Sequence, residues 1–257
     1  MRLATFNLLH GRSLSDGTVH ADRIHAAIAD LDADVLGLQE VDRAQPRSGL
    51  LDLAALAADA LGATTHRFAA AVVGTPGERW EPWHSGADIA HPQYGIALVS
   101  RYPVVRWQVT SLPAAPVRSP VYVPDGGLLL LRDEPRVLLA AVLDTPDGPL
   151  TVGTTHLSFV PGWNVRQLRA AVRALRALPG PRVLLGDLNM PSGPVRAFTG
   201  WRSLARAATF PSPSPKTQLD HVLADPRSAG HLGRVVQVRT PHAPVSDHRP
   251  LVVRLDR

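Results

Sequence analysis

The chain has 257 residues, no cysteine, a 45% apolar content and a formal net charge of +5 at pH 7. That length and apolar share suit one domain, taken as residues 1–257. Without thiols there are no disulfides, and any bound metal is held by oxygen or imidazole. The basic side is almost all arginine, with Lys216 the only lysine, and no dense basic run marks a nucleic-acid tract.

Arginine suits anionic substrates because its planar fork meets phosphate bidentately. The longest apolar stretches are interrupted too often to span a bilayer, so no stable membrane insertion is expected. Met1 and Arg2 lead at once into Leu3–Phe6, which reads as a first strand and not a leader, and a cytoplasmic location is expected.

In chain order, Leu3 to Leu8 is a short apolar strand. Ile24, Ile28 and Leu31, with Ala27 beside them, predict an amphipathic helix over 21–31. Val35 to Leu38 is a second strand, and Leu50 to Leu61 is a helix stopped by Gly62. His66 to Val73 returns to strand. Gly74 to Gln93 has no clean period and reads as a long surface loop carrying Trp80, Trp83 and His84. Tyr94 to Val99 and Val104 to Leu112 are strands, followed by an irregular, proline-bearing excursion over 113–127.

Val137 to Leu143 and Leu150 to Thr155 predict a hairpin around Asp147-Gly148. Asn164 to Leu178 is a helix, Val183 to Leu185 a strand, and Val195 to Phe198 a short helix. His221–Leu223, Val235–Val238 and Leu251–Leu255 complete the sheets. Strands outnumber long helices without strict alternation, which favours paired sheets with helices outside.

The chemistry-bearing residues stand at strand ends. Asp187 and Asn189, two apart after a buried strand, put a carboxylate and an amide on one side. That pair suits a divalent ion plus an oxygen of substrate or water, although Gly-Asp and Asn are also turn residues. Glu40 ends the second strand and is a plausible direct ligand. Asn7 sits in an apolar beginning and needs a partner: a phosphate oxygen, a ligand carboxylate or backbone. His156 ends another apolar run and is placed either to donate to a nonbridging phosphoryl oxygen or to protonate a leaving group. Asp247 and His248 follow a proline-bearing loop, and Asp220 is placed to accept from His248 and fix its tautomer.

In this order and context the residues resemble the endonuclease/exonuclease/phosphatase superfamily, which includes pancreatic deoxyribonuclease, abasic-site endonucleases, neutral sphingomyelinases and inositol-polyphosphate phosphatases. The resemblance runs from Thr5-Phe6-Asn7-Leu8 and Leu38-Gln39-Glu40-Val41 through Tyr94–Pro103 and Thr155-His156-Leu157. It continues in Leu185–Asn189, Gln218–Val222 and Ser246–Pro250. It implies a four-layer α/β sandwich, with two central mixed β-sheets flanked by helices.

The resemblance further implies Mg²⁺ or Mn²⁺ held mainly by Glu40, with Asn7, Asp247 and Asp187 around it. Asp187 would orient the attacking water, Asn189 and His156 would hold phosphoryl oxygen, and His248 paired with Asp220 would be the catalytic histidine. The expected partner is a phosphate ester, and no protein partner is evident. Loops must choose the substrate: His10, Trp163 and Asn164 are candidates for the cleft rim, each with a packing role as the plainer reading. A small-molecule or lipid head-group phosphodiester is the preferred substrate. A nuclease on DNA or RNA is the nearest rival, and a noncatalytic binding module the third reading.

Overall fold

A computed structural model of the chain describes residues 1–88, 90–123 and 127–256. The elements run β1 (Arg2–Asn7), α1 (Ala21–Ala29), β2 (Val35–Arg43), α2 (Leu53–Leu61), β3 (Thr65–Gly74), β4 (Trp80–Pro82) and β5 (Gln93–Ser100). They continue as β6 (Val104–Leu112), β7 (Arg118–Val123), β8 (Gly127–Arg132), β9 (Arg136–Thr145), β10 (Gly148–His156) and α3 (Trp163–Arg176). The last are β11 (Arg182–Asp187), α4 (Ser192–Thr199), β12 (Arg202–Ser203), β13 (Asp220–Ala224), β14 (Arg234–Arg239) and β15 (Leu251–Asp256).

One sheet has the order β14-β15-β1-β2-β5-β3-β4, and the other β12-β13-β11-β10-β9-β6. Three apolar cores separate the layers. The central one joins the facing sides of the sheets through Leu3, Val35 and Leu98 on one and Leu139, Val152 and Leu185 on the other. A second packs Ile24 and Ile28 of α1 and Leu53 and Ala57 of α2 on the outside of the first sheet. The third packs Leu168, Val172 and Leu175 of α3 on the outside of the second sheet. The result is the expected helix–sheet–sheet–helix sandwich.

Local chemistry explains the helix ends. The Asp52 carboxylate accepts from the Ala54 and Ala55 N–H groups at 3.0 Å each, capping α2. Gly62 closes it at φ 58, where a side chain would be strained.

Both sheets are mixed, and each holds one parallel pair at its centre: β1 with β2, and β10 with β11. Asn7 faces Gln39 at the end of the first pair, and His156 faces Asp187 at the end of the second. The two pairs lie across the central core from each other. They come close enough that a Cβ on Gly37 would sit 2.5 Å from Thr154 Oγ1. Gln39 uses the gap: its Nε2 donates to Thr154 Oγ1 at 3.0 Å, and its Oε1 accepts from Thr5 Oγ1 at 3.2 Å. This polar rung holds the sheets in register just beneath their shared edge.

Three expectations change. The second strand continues past Leu38 to Arg43, because a bulge between Leu38 and Val41 lets it pair again with β5. Within 113–127 the chain is not wholly irregular: β7 and β8 form a separate two-stranded ribbon, Arg118 opposite Arg132 and Val123 opposite Gly127. A ribbon has two free edges, so the missing N–H of Pro120 is tolerated, while Pro124 lies outside the described residues. The loop over 74–93 holds one short strand, β4, paired with the end of β3.

Gly37→Ala forces a methyl group against Thr154. It should lower unfolding free energy by about 1–3 kcal/mol, read by urea denaturation. A change within error would mean that the sheets are free to part at this point.

Candidate active site

Residues from six stretches of chain meet where the parallel pairs end. Asn7 is the hinge of the group. Its Nδ2 donates to Glu40 Oε1 and to Asp187 Oδ2, both at 3.0 Å, while its Oδ1 accepts from Leu9 N–H. One amide thus ties a carboxylate of the first sheet to one of the second. Glu40 sits at the bulge of β2 with φ 53, and Asn189 at φ 48; both are left-handed positions uncommon for non-glycine residues. Gly186 has φ +147, and a Cβ there would lie 2.1 Å from the Thr155 carbonyl, so only glycine lets β11 approach β10 at this step.

Ser246 docks the C-terminal loop. Its hydroxyl donates to the Asn7 carbonyl at 2.6 Å and accepts from the His248 N–H at 3.0 Å. His248 is 5% exposed and lies against the Phe210 ring. Its Nδ1 meets Asp220 Oδ2 at 2.8 Å, leaving Nε2 3.7 Å from Asp187 Oδ2. Burial alone lowers its pKa, but the Asp220 and Asp187 carboxylates outweigh that and push it up to about 10. The ring is therefore an imidazolium at neutral pH, held between two acids.

Glu40 and Asp187 move the other way. Burial raises Glu40 to about 7, opposed by the Asn7 amide and reinforced by the Asp247 charge. Burial likewise raises Asp187 to about 6, with His248 working against it. The Asn7 amide joins Glu40 to Asp187, and the Asp247 and Asp187 charges both act on Glu40. Carboxylate oxygens such as these are the donors that a hard divalent ion takes. Ligand atoms of Asp187, Asp220 and His248 also lie within 4.8 Å of one another. There a cation would compete with the proton that Asp220 holds on His248.

The facing wall is His156, 7% exposed at the end of β10. Arg136 Nη1 lies 3.1 Å from its Nδ1, and Asn189 Nδ2 lies 3.2 Å from its Nε2. Burial and the Arg136 guanidinium hold the imidazole well below its ordinary pKa. Asn189 is fixed by three bonds: its Nδ2 to the Leu157 carbonyl, its N–H to Asp187 Oδ1, and its carbonyl from Asn164 Nδ2.

These groups open into a cleft of ≈470 Å³ whose lining includes Glu40, Asp187, Asn189, His156 and His248. Asn7 and Asp220 lie behind this surface. His10 lines the cleft as expected, with burial and nearby Arg47 lowering its pKa to about 4, so it is neutral there. Trp163 and Asn164 do not belong to that lining. The Trp163 indole donates to the Pro113 carbonyl at 2.7 Å, and Asn164 reaches the site only through the Asn189 carbonyl. Trp80 lies under the Arg132 guanidinium, outside the cleft. Arg101 is bound to Asp32 and the Leu61 carbonyl.

The reading of the sequence missed Arg47, Glu134, Arg136 and Phe159 as cleft residues. The one available signal was a charge in Pro135-Arg136, directly ahead of an unbroken apolar run.

Asp220→Asn removes the charge that most raises the His248 pKa. The titration midpoint, followed by NMR in the metal-free protein, should fall from about 10 by roughly two units. Because the folded value is raised, this group's stabilisation is full below about pH 6.5 and lost as pH climbs to about 10. The variant should lose stability mainly at the lower pH. An unshifted midpoint would break the assigned pairing.

The profile of the Endonuclease/Exonuclease/phosphatase family matches residues 4–248. No curated protein matches the sequence. Among solved structures, the chain is similar to an endonuclease/exonuclease/phosphatase from Beutenbergia cavernae, at 27% identity and TM-score 0.67, over 99% of this chain and 71% of that one. It is similar in fold to a mannosyl-6-phosphatase of Bacteroides thetaiotaomicron, at 18% identity and TM-score 0.63, over 100% of both chains. It is also similar in fold to sphingomyelinase C of Streptomyces griseocarneus, at 17% identity and TM-score 0.61, over 100% of this chain and 99% of that one. With the profile spanning nearly the whole sequence, the chain belongs to the endonuclease/exonuclease/phosphatase family.

Proposed function

We propose that the protein is a divalent-metal-dependent hydrolase of phosphodiesters carried by a small molecule or a lipid head group. The observation that carries this reading is the Asn7 amide joined to both Glu40 and Asp187, with the Nε2 atoms of His156 and His248 at 3.6 and 3.7 Å from Asp187 Oδ2. An acidic floor faces donors across a gap, as a cation and a tetrahedral anion require.

In this reading Glu40 would be the main ligand for Mg²⁺ or Mn²⁺, with Asp247 assisting and Asp187 at the border of the metal and the water. Asn7, expected among the ligands, instead turns its Nδ2 to the Glu40 and Asp187 carboxylates and its Oδ1 to the Leu9 N–H, so it would orient those acids. A divalent ion held there would withdraw charge from the phosphoryl group. Asp187 accepts a hydrogen bond from the attacking water. His248, steadied by Asp220, contributes positive charge beside it. His156 and Asn189 donate to phosphoryl oxygen, and His10 lines the wall where the remainder of the substrate lies.

The similar structures include a phosphatase and a sphingomyelinase, which supports ester hydrolysis at phosphorus and leaves the substrate to the loops. A nuclease would use free arginines to follow a backbone. Here the two cleft arginines are engaged: Arg47 by Asp42 at 2.8 and 2.9 Å, and Arg136 by His156. That supports the smaller substrate. The absence of a long apolar helix among the described residues is consistent with substrate reached without a membrane span. A cytoplasmic location remains part of this proposal.

Hydrolysis of bis-p-nitrophenyl phosphate should require Mg²⁺ or Mn²⁺ and fall by about 10²–10³-fold in Glu40→Ala and His248→Ala. Unchanged turnover in either variant defeats the site. A panel of sphingomyelin, glycerophosphodiesters, plasmid DNA and RNA then separates the two substrate readings.

Metal loading should also release a proton. With Glu40 at about 7, binding near pH 6 should expel close to one proton or more, and binding at about pH 8.5 almost none. Calorimetry in buffers of differing ionisation enthalpy reads this, and equal release at both pH values would remove Glu40 from the ligand set.

A further inference from the structure

We infer that Arg136 is a positioning residue: it fixes the tautomer of His156, so that the ring's Nε2–H and the Asn189 amide present two donors to one phosphoryl oxygen. The inference rests on the phosphoester-hydrolase reading and assigns a residue that the sequence motifs do not contain.

The geometry leaves little freedom. Arg136 Nη1 lies 3.1 Å from His156 Nδ1. A guanidinium has five N–H donors, no acceptor and no neutral form in a protein. His156 Nδ1 must therefore accept, and a neutral ring carries its one hydrogen on Nε2. That nitrogen faces the cleft, 3.6 Å from Asp187 Oδ2 and 3.2 Å from Asn189 Nδ2. The first distance is too long for a hydrogen bond.

The second contact is not a hydrogen bond between donor and acceptor either. Asn189 Nδ2 donates to the Leu157 carbonyl at 2.9 Å, which fixes the amide with its nitrogen toward the ring. Two N–H groups thus stand side by side, with no acceptor supplied by one to the other. An anionic oxygen entering the cleft satisfies both.

Arg136 itself has weak reasons to be where it is. It is 6% exposed, its carboxylate contact with Glu134 is long at 3.8 Å, and its Nε has no partner. A buried guanidinium so thinly paired is costly, and its firm contact is the one with His156. The charged groups facing His156 are Arg136 from β9, Asp187 from β11 and His248 from the loop before β15. Arg136 is the one that bonds the nitrogen away from the cleft. The ring then enters the reaction as a neutral donor.

The test uses full-length, metal-free protein labelled with ¹⁵N-histidine. Two-bond ¹H–¹⁵N spectra should give His156, identified by its loss in His156→Asn, with hydrogen on Nε2 and a bare Nδ1. Hydrogen on Nδ1, or on both nitrogens at neutral pH, overturns the inference. This spectrum needs neither a folded Arg136 variant nor turnover, so it stands apart from any failure of the hydrolase reading. In Arg136→Met the hydrogen should distribute over both nitrogens, and Arg136→Lys should restore Nε2–H.

For ester hydrolysis, Arg136→Met should lower kcat by about 10- to 100-fold with KM nearly unchanged, and should cost nothing further in a His156→Ala background. An additive loss in the double variant would make Arg136 a direct substrate contact and overturn the positioning role.

Discussion

The site depends on one amide. Asn7 Nδ2 donates to Glu40 Oε1 and Asp187 Oδ2 at equal distances of 3.0 Å, and those two carboxylates belong to opposing sheets. Two acids brought this close repel each other and resist ionisation. The amide offsets part of that repulsion, and His248, an imidazolium between Asp220 and Asp187, offsets more. A divalent cation would relieve what remains.

Holding that arrangement needs a rigid frame, and the frame is the paired sheets. Each contributes one parallel pair whose ends carry polar groups, and the apolar core between them is bridged by the Thr5–Gln39–Thr154 rung. Gly37 and Gly186 leave needed room for separate reasons: one faces the Thr154 side chain of the other sheet, and one faces the Thr155 carbonyl of its neighbour strand. Strain is concentrated at the ends. Glu40 and Asn189 lie at positive φ, held by the bulge of β2 and by the bonds of Asn189 to Leu157 and Asn164. Such positions persist because the surrounding structure over-determines them.

The walls of the cleft differ in charge. Near Glu40, acids dominate. Near His156, donors dominate, with Arg136 behind the ring and Asn189 beside it. In the proposed function a phosphate ester laid between them would meet hydrogen-bond donors on its oxygens. Arg47, clamped by Asp42 under Tyr94, adds charge to the rim without the freedom to follow a long polyanion.

Much of this was legible in the residues. Glycine before Asp187, an amide two residues later, a glutamate ending an apolar run, and Asp247-His248 after a rigid loop are local patterns, because strand ends are set by local chemistry and period. Asp220 was legible as a partner for His248, and the two do meet at 2.8 Å. The resemblance supplied their convergence, which no spacing along the chain contains.

Tertiary structure decided the rest. The register of β9 against β10, Leu138 opposite Thr155, brings Arg136 beside His156 from twenty residues away. Trp163 and Asn164, close to His156 in sequence, were carried off the cleft by the turn into α3 and became supports instead. The two-stranded β7–β8 ribbon was invisible because Pro120 and the prolines around it argue for loop, and a proline is tolerated where its position faces the edge of a sheet. Sequence alone determined which residues carry charge and roughly where most strands lie, although not that β2 runs on to Arg43. Contacts between distant strands decided which charges face one another, and with burial that shifts the pKa values of Glu40, Asp187, His156 and His248.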